Sequence, residues 1–429
     1  MSHVYSWRWT KQVFRLVLLA LVCGLVAGCG GGDVDENPAS QTAQNNGNAQ
    51  KTTAENGKSS KLPPASIKGD APKKKAVAPP PKKGTPQWYV HEMLVTRFQK
   101  YPEKATVEQL KKLRRDRNLK IIKLAEEAIP LTAKDPKLEE VFNAVIHQLL
   151  ESRVALAMEG KEDDIFALYD LADILYKRDK KSKAAAEAAY RVAAFANQNA
   201  LRDSDPKQEW LAEFTRRARL FATNFPQEQA RAVRLLDAAG RSCEYHRKIP
   251  EAISCYQQLR QQFPDLLQAK RATAVLRRLQ LQGKPLILKG PSIDGGFVDI
   301  QDSRNKVVLV VFWATGQKQF DDIVPKLKAV RKSFSLTQLD IIGVNLDKEE
   351  LAVDAYLEKT GMNWPHIFYP DRKKRGWENL IAKYYAIRSI PTLWLIDKNG
   401  NVANLYADPD KLESQIRTLL TRRTASRSP

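Results

Sequence analysis

The chain has 429 residues, 43% of them hydrophobic and 28% charged, a balance that fits two or three soluble domains and excludes collagen-like, polytopic membrane and wholly disordered chains. Lys plus Arg is 70 and Asp plus Glu is 49, a formal net charge of +21 that points to anionic partners. Only 4 Cys are present, which excludes a disulfide scaffold.

In chain order, the first segment reads as an address. Residues 1–15 carry Arg8, Lys11 and Arg15 and no acid, and Leu16 to Gly28 are apolar or small. That run suits an export signal and is short for a membrane span. It ends Leu25-Val26-Ala27-Gly28-Cys29, which resembles the lipobox of bacterial lipoproteins. The resemblance implies cleavage after residue 28 and lipidation of Cys29. An ordinary signal peptide or an uncleaved anchor with an incidental Cys are the alternatives. Lipidation implies a membrane-anchored protein of the cell envelope, facing the periplasm or the exterior. That location argues against nucleic acid as the partner of the positive charge.

Residues 29–87 form the expected linker. From residue 30 to residue 87 there is no Phe, Trp or Tyr, and the segment closes on Lys73-Lys74-Lys75 and Pro79-Pro80-Pro81. Such a composition cannot bury enough apolar surface to offset its chain entropy. A random coil of this length reaches roughly 40 Å. Its lysines suit either simple solubility or contact with anionic headgroups.

Residues 88–282 turn to helical periodicity, as in Val141, Phe142, Val145, Ile146, Leu149 and Leu150. Helix ends are expected at Pro130, Pro136, Gly160, Pro206, Pro226, Pro250 and Pro264. Residues 233–266 resemble a tetratricopeptide repeat. Leu236, Ala239 and Gly240 lie on one helix, Ala252, Tyr256 and Leu259 on the next, and Pro264 closes the unit. Gly240 and Ala252 would let two helices approach, with Tyr256 filling the gap. A weaker copy runs through Leu168, Leu171, Ala172 and Leu175, then Ala186, Tyr190 and Ala193. An irregular all-α bundle is the alternative. Either way a docking surface for a protein partner is expected.

Cys243 and Cys255 fall on the two helices of the better repeat. They suit either a disulfide or two buried apolar side chains, and their spacing is not that of a redox motif. The histidines are scattered without metal-ligand spacing, so neither metal nor cofactor is expected.

Residues 284–421 change to a βα rhythm, with a basic tail at 422–429. Val307–Phe312 and Leu339–Val344 read as strands buried on both faces. Between them an amphipathic helix would turn Phe320, Ile323, Val324, Leu327, Val330 and Phe334 inward. A helix follows over Glu349–Thr360. Thr392–Ile396, a turn at Asp397-Lys398-Asn399-Gly400, and Asn401–Tyr406 make a hairpin, and Asp410–Thr421 a final helix. The pattern is α/β.

This part resembles the thioredoxin fold, and more narrowly the exported, membrane-tethered thiol–disulfide oxidoreductases of the TlpA/ResA and redoxin type. The resemblance is carried by Phe312-Trp313-Ala314-Thr315, by Ser389-Ile390-Pro391-Thr392, and by an N-terminal hairpin over Ile293–Asp299. It implies a cis Pro391 and a peptide-binding edge beside it. The alternative is that Pro391 only preserves a turn. In the family, Phe-Trp-Ala-Thr is followed by Trp-Cys-x-x-Cys. Here Gly316-Gln317-Lys318-Gln319-Phe320 follows, with Gln317 at the nucleophile position and Phe320 at the resolving position. An amide cannot attack a disulfide and a phenyl ring cannot resolve one. Trp313, Gln317, Phe320 and Pro391 are therefore read as a vestigial active site with no catalytic residue. The expected work is protein or peptide binding or scaffolding, and the rival is a thiol–disulfide oxidoreductase. Basic clusters such as Arg114-Arg115 and Lys373-Lys374-Arg375 are either solvated faces or contacts to anionic envelope polymers.

Overall fold

The computed structural model describes residues 79–202 and 207–421. The export signal, Cys29 and most of the linker lie outside the described residues, as do Pro206 and the basic tail. The described residues fall into two compact units, one up to Glu159 and one from Gly160 onward.

The first unit holds three helices, α1 (Pro86–Phe98), α2 (Val107–Thr132) and α3 (Glu139–Ala157). Thr106 and Gln109 form a reciprocal cap at the start of α2. Of the stripe expected on α3, Phe142, Val145, Ile146, Leu149 and Leu150 are buried and Val141 is half-buried. Pro130 does not end α2 where the sequence suggested. It sits in the last turn, and the helix runs on to Thr132, whose hydroxyl donates to the Ala128 carbonyl at 3.0 Å.

The second unit begins with six helices: α4 (Glu162–Arg178), α5 (Lys183–Ala200), α6 (Glu209–Asn224), α7 (Gln229–Tyr245), α8 (Ile249–Gln262) and α9 (Leu267–Leu279). Each packs on the next, and α5 with α7 and α6 with α8 also touch. Pro226 and Pro264 follow helix ends as expected, whereas Pro250 lies in the first turn of α8, where its missing N–H leaves no helical bond unmade. A β-carbon on Gly240 of α7 would stand 2.8 Å from the Tyr256 ring of α8. The absent side chain is what lets these two helices meet.

The α/β part follows. A short hairpin joins β1 (Lys289–Pro291) to β2 (Phe297–Asp299). The main sheet is built from β3 (Val307–Trp313), β4 (Leu339–Asn345), β5 (His366–Ile367), β6 (Thr392–Ile396) and β7 (Val402–Asn404), in the order β5-β4-β3-β6-β7. The first three run parallel, β6 runs antiparallel to β3, and β7 runs antiparallel to β6. Every residue of β3 is buried. Val307, Leu309, Val311 and Trp313 enter one core and Val308, Val310 and Phe312 the other, the two-residue period of a doubly covered strand.

The expected helix from Phe320 to Phe334 is interrupted. Residues Lys318–Asp321 make one short turn, α10, and α11 covers Val324–Ser333 with Pro325 in its first turn. Proline cannot donate to a preceding carbonyl, so the chain restarts there. Helices α12 (Glu350–Thr360), α13 (Leu380–Tyr384) and α14 (Leu412–Thr421) complete the domain. β7 ends at Asn404, short of Tyr406, because the Asn404 side chain caps the Tyr406 N–H at 2.8 Å and turns the chain.

Candidate functional site

β3 delivers Trp313 to the end of the sheet, and the chain then leaves through Ala314-Thr315-Gly316-Gln317. Asp347, just past β4, holds this loop. Its carboxylate accepts the Thr315 N–H at 2.9 Å, the Thr315 hydroxyl at 2.8 Å and the Asn345 amide at 2.7 Å. Gly316 takes the left-handed conformation, φ +68°, with open space around it. Gln317, Lys318 and Gln319 are exposed.

Phe320 is turned the other way. It is buried, with its ring stacked on Trp313 at 4.9 Å between centroids. Tyr356 of α12 leans on both rings and donates its hydroxyl to Asp321 at 2.5 Å. The position where a resolving thiol would stand is thus part of the hydrophobic core.

Beneath Trp313 lies a residue that no motif marks. His366, on β5, is buried, and its Nδ1 accepts the Trp313 indole N–H at 3.2 Å. Burial drives its pKa down to about 4, so the ring stays neutral and keeps Nδ1 as an acceptor. Its only sequence signal was Asn363-Trp364-Pro365-His366 leading into a strand, which does not foretell an indole partner.

The antiparallel register sets Thr392 opposite Phe312. Pro391 therefore lies at the same end of the sheet as the Trp313 loop. The Ile390–Pro391 peptide is cis, as the resemblance implied. Pro391 borders a cavity of about 760 Å³ that also takes in Ser389, Thr392, Tyr406 and Arg247. The N–H groups of Ser389 and Ile390 donate to no partner among the described residues.

A family profile described as thioredoxin-like matches residues 305–402. These residues form a thioredoxin-like domain. The thiol-disulfide oxidoreductase ResA of Geobacillus kaustophilus is 27% identical over 106 residues, 25% of this chain and 57% of the relative. The Bacillus subtilis protein of the same name is 24% identical over 112 residues, 26% of this chain and 59% of the relative. The chain thus spans less than two thirds of the length of these curated relatives. Among solved structures, the thioredoxin domain of a thiol-disulfide oxidoreductase from Bacteroides vulgatus is 21% identical with a TM-score of 0.30, covering 33% of this chain and 98% of that one.

Within the thioredoxin-like domain there is no cysteine. Cys243 on α7 and Cys255 on α8 are buried free thiols. The Cys243 sulfur lies 3.1 Å from the Thr215 hydroxyl. Burial raises both pKa values, that of Cys255 to about 12, which keeps the thiols protonated. No group of acidic, His or Cys side chains among the described residues is placed to hold a metal. No described helix is long and apolar enough to cross a membrane.

Proposed function

We propose that this is a lipid-anchored protein of the cell envelope whose thioredoxin-like domain binds polypeptide instead of exchanging disulfides. One observation carries the reading: the resolving position is filled by Phe320, packed on Trp313, while the cis Pro391 edge stays beside an open cavity. An extended segment can pair with the free N–H of Ile390, the residue before the cis proline, as an added strand. The helices from Gly160 onward, with the close Gly240–Tyr256 contact of a tetratricopeptide-like pair, give a scaffold for a second partner. The linker and the lipid at Cys29 would hold the assembly at a membrane, and surface lysines suit anionic envelope polymers.

The relatives are named as thiol-disulfide oxidoreductases, and that activity is the second reading. Thiol exchange in this chain would have to use Cys243 or Cys255, whose burial disfavours the thiolate.

The test pairs two measurements on the full chain. Reduction of a standard disulfide substrate should match the protein-free blank, and a labelled unstructured decapeptide should bind. Ser389→Trp should block that binding. Disulfide reduction that disappears in Cys243→Ser/Cys255→Ser would establish the enzyme instead.

A further inference from the structure

The cavity beside Pro391 has a second wall, built by the end of α7, the turn after it and α9. Six charged side chains line it: Arg241, Glu244, Arg247, Arg278, Arg388 and Asp408. Four are already engaged. Arg278 is buried and donates to the Glu244 carboxylate at 2.6 Å and to the Tyr385 carbonyl at 3.0 Å, so this pair cancels. Asp408 caps the Asp410 N–H and lies 3.7 Å from Lys411. Arg241 is bridged to Asp237 at 3.2 Å.

Arg247 and Arg388 remain. Neither has a carboxylate partner among the described residues. Arg247 lies over the Tyr406 ring, 3.7 Å from its centroid. Arg388 is 5.9 Å from the Tyr256 ring and 3.4 Å from its hydroxyl. Arg247, laid over its ring, keeps its N–H edge for a planar anion, and Arg388 spends one N–H on the Tyr256 hydroxyl and keeps the others.

The backbone at Arg247 is a second, independent sign. It closes the C-terminal turn of α7, with its N–H on the Glu244 carbonyl and that of Lys248 on the Cys243 carbonyl. Its φ is +61°, the left-handed position that glycine adopts without strain and arginine does not. Such positions cost free energy, persist where their surroundings hold them, and cluster at ligand clamps.

We propose that this cavity recognises a carboxylate on the bound polypeptide, and that Arg247 and Arg388 supply its positive charge. The proposal rests on the reading of the thioredoxin-like domain as a peptide binder. It adds which peptides are taken: those carrying an acidic side chain, or a free chain end, where the extended segment passes Pro391. The cavity volume of about 760 Å³ suits a few residues.

The test uses the full chain and three labelled decapeptides at low ionic strength. One is neutral and amidated, one has glutamates in place of glutamines, and one is neutral with a free C-terminal carboxylate. The acidic or free-ended peptide is expected to bind about tenfold more tightly than the neutral one, the scale of one charged hydrogen-bonded contact. Which of the two gains identifies the source of the carboxylate. Arg247→Gly and Arg388→Gln should each abolish most of that advantage. Arg247→Gly also relieves the left-handed position, so its loss of binding cannot be put down to misfolding, and an unchanged or higher Tm checks this. Equal affinity for all three peptides overturns the carboxylate pocket and leaves peptide binding standing. No binding of any peptide overturns both. If dextran sulfate binds through the two arginines and no acidic peptide does, the cavity takes an anionic polymer and the proposal fails.

Discussion

Gly343 sits directly against His366: a β-carbon at Gly343 would come within 2.1 Å of His366 Nδ1, the atom that accepts the Trp313 indole N–H. Gly343 is a β4 residue paired with His366 on β5, so neither backbone can give way without unpicking the sheet. Gly343→Ala is therefore expected to destabilise the thioredoxin-like domain by about 3 kcal/mol, as overpacking of a fixed core does. Denaturant unfolding measures it. In a His366→Ala background the same change should cost less, because the ring it strikes hardest is gone and only the Trp313 indole nitrogen, at 2.9 Å, stays in its way.

His366 also makes stability depend on pH. Its unfolded imidazole takes a proton near 6.5, its folded one only near 4. The unfolded state therefore binds more protons between these values. Stability from this residue is complete above about pH 6.5, falls as pH drops towards 4, and amounts to about 3 kcal/mol. Asp294, whose charge favours the protonated ring, opposes the effect. Unfolding curves of the wild type and His366→Gln across this window should converge as pH falls.

The approach of α7 and α8 depends on Gly240. Gly240→Ala would push a methyl group against the Tyr256 ring at 2.8 Å and should cost about 2 kcal/mol. Tyr256→Phe should not restore the loss, since the nearest ring atom remains, whereas Tyr256→Leu should restore part of it. Thermal unfolding of the single and double variants separates these outcomes.

Arg278 ties the helices to the α/β part through Glu244 and the Tyr385 carbonyl. Arg278→Leu leaves Glu244 without its partner in a largely covered place and should cost about 3 kcal/mol. The double change Arg278→Leu/Glu244→Leu should be milder, because no lone charge is left behind. Limited proteolysis near Gly283 should speed up in the single variant.

Replacing Phe320 by cysteine tests the proposed loss of thiol chemistry directly. Gln317→Cys/Phe320→Cys restores both thiol positions but removes a stacked ring from beside Trp313. A loss of about 3 kcal/mol is expected. Any regained disulfide reduction should come with this lowered stability, read by denaturant unfolding and the turnover assay on the same preparation.

Much of the α/β domain was legible because burial on both faces leaves continuous runs such as Val307–Phe312. The pairing of Phe312-Trp313-Ala314-Thr315 with Ile390-Pro391-Thr392 also announced the sheet end at which the site lies. The break at Asp322 and Ile323 was less visible, since both halves of the helix keep apolar residues at helical spacing. The roles of His366 and of the arginine-lined cavity were hidden for a different reason. Arg247 and Arg388 stand far apart in the chain and meet one cavity only after the helices pack on the domain. Nor does a histidine that serves an indole N–H leave any spacing to read.

The stacking of Phe320 on Trp313 also sets how many substitutions separate this chain from a thiol pair. A chain that lost only its nucleophile could regain it by one change at an exposed loop position. Once the second position has been absorbed into the core, a single reversion there opens a void and returns no chemistry by itself. A thiol pair at these positions therefore lies across a valley of lowered stability that one substitution cannot cross.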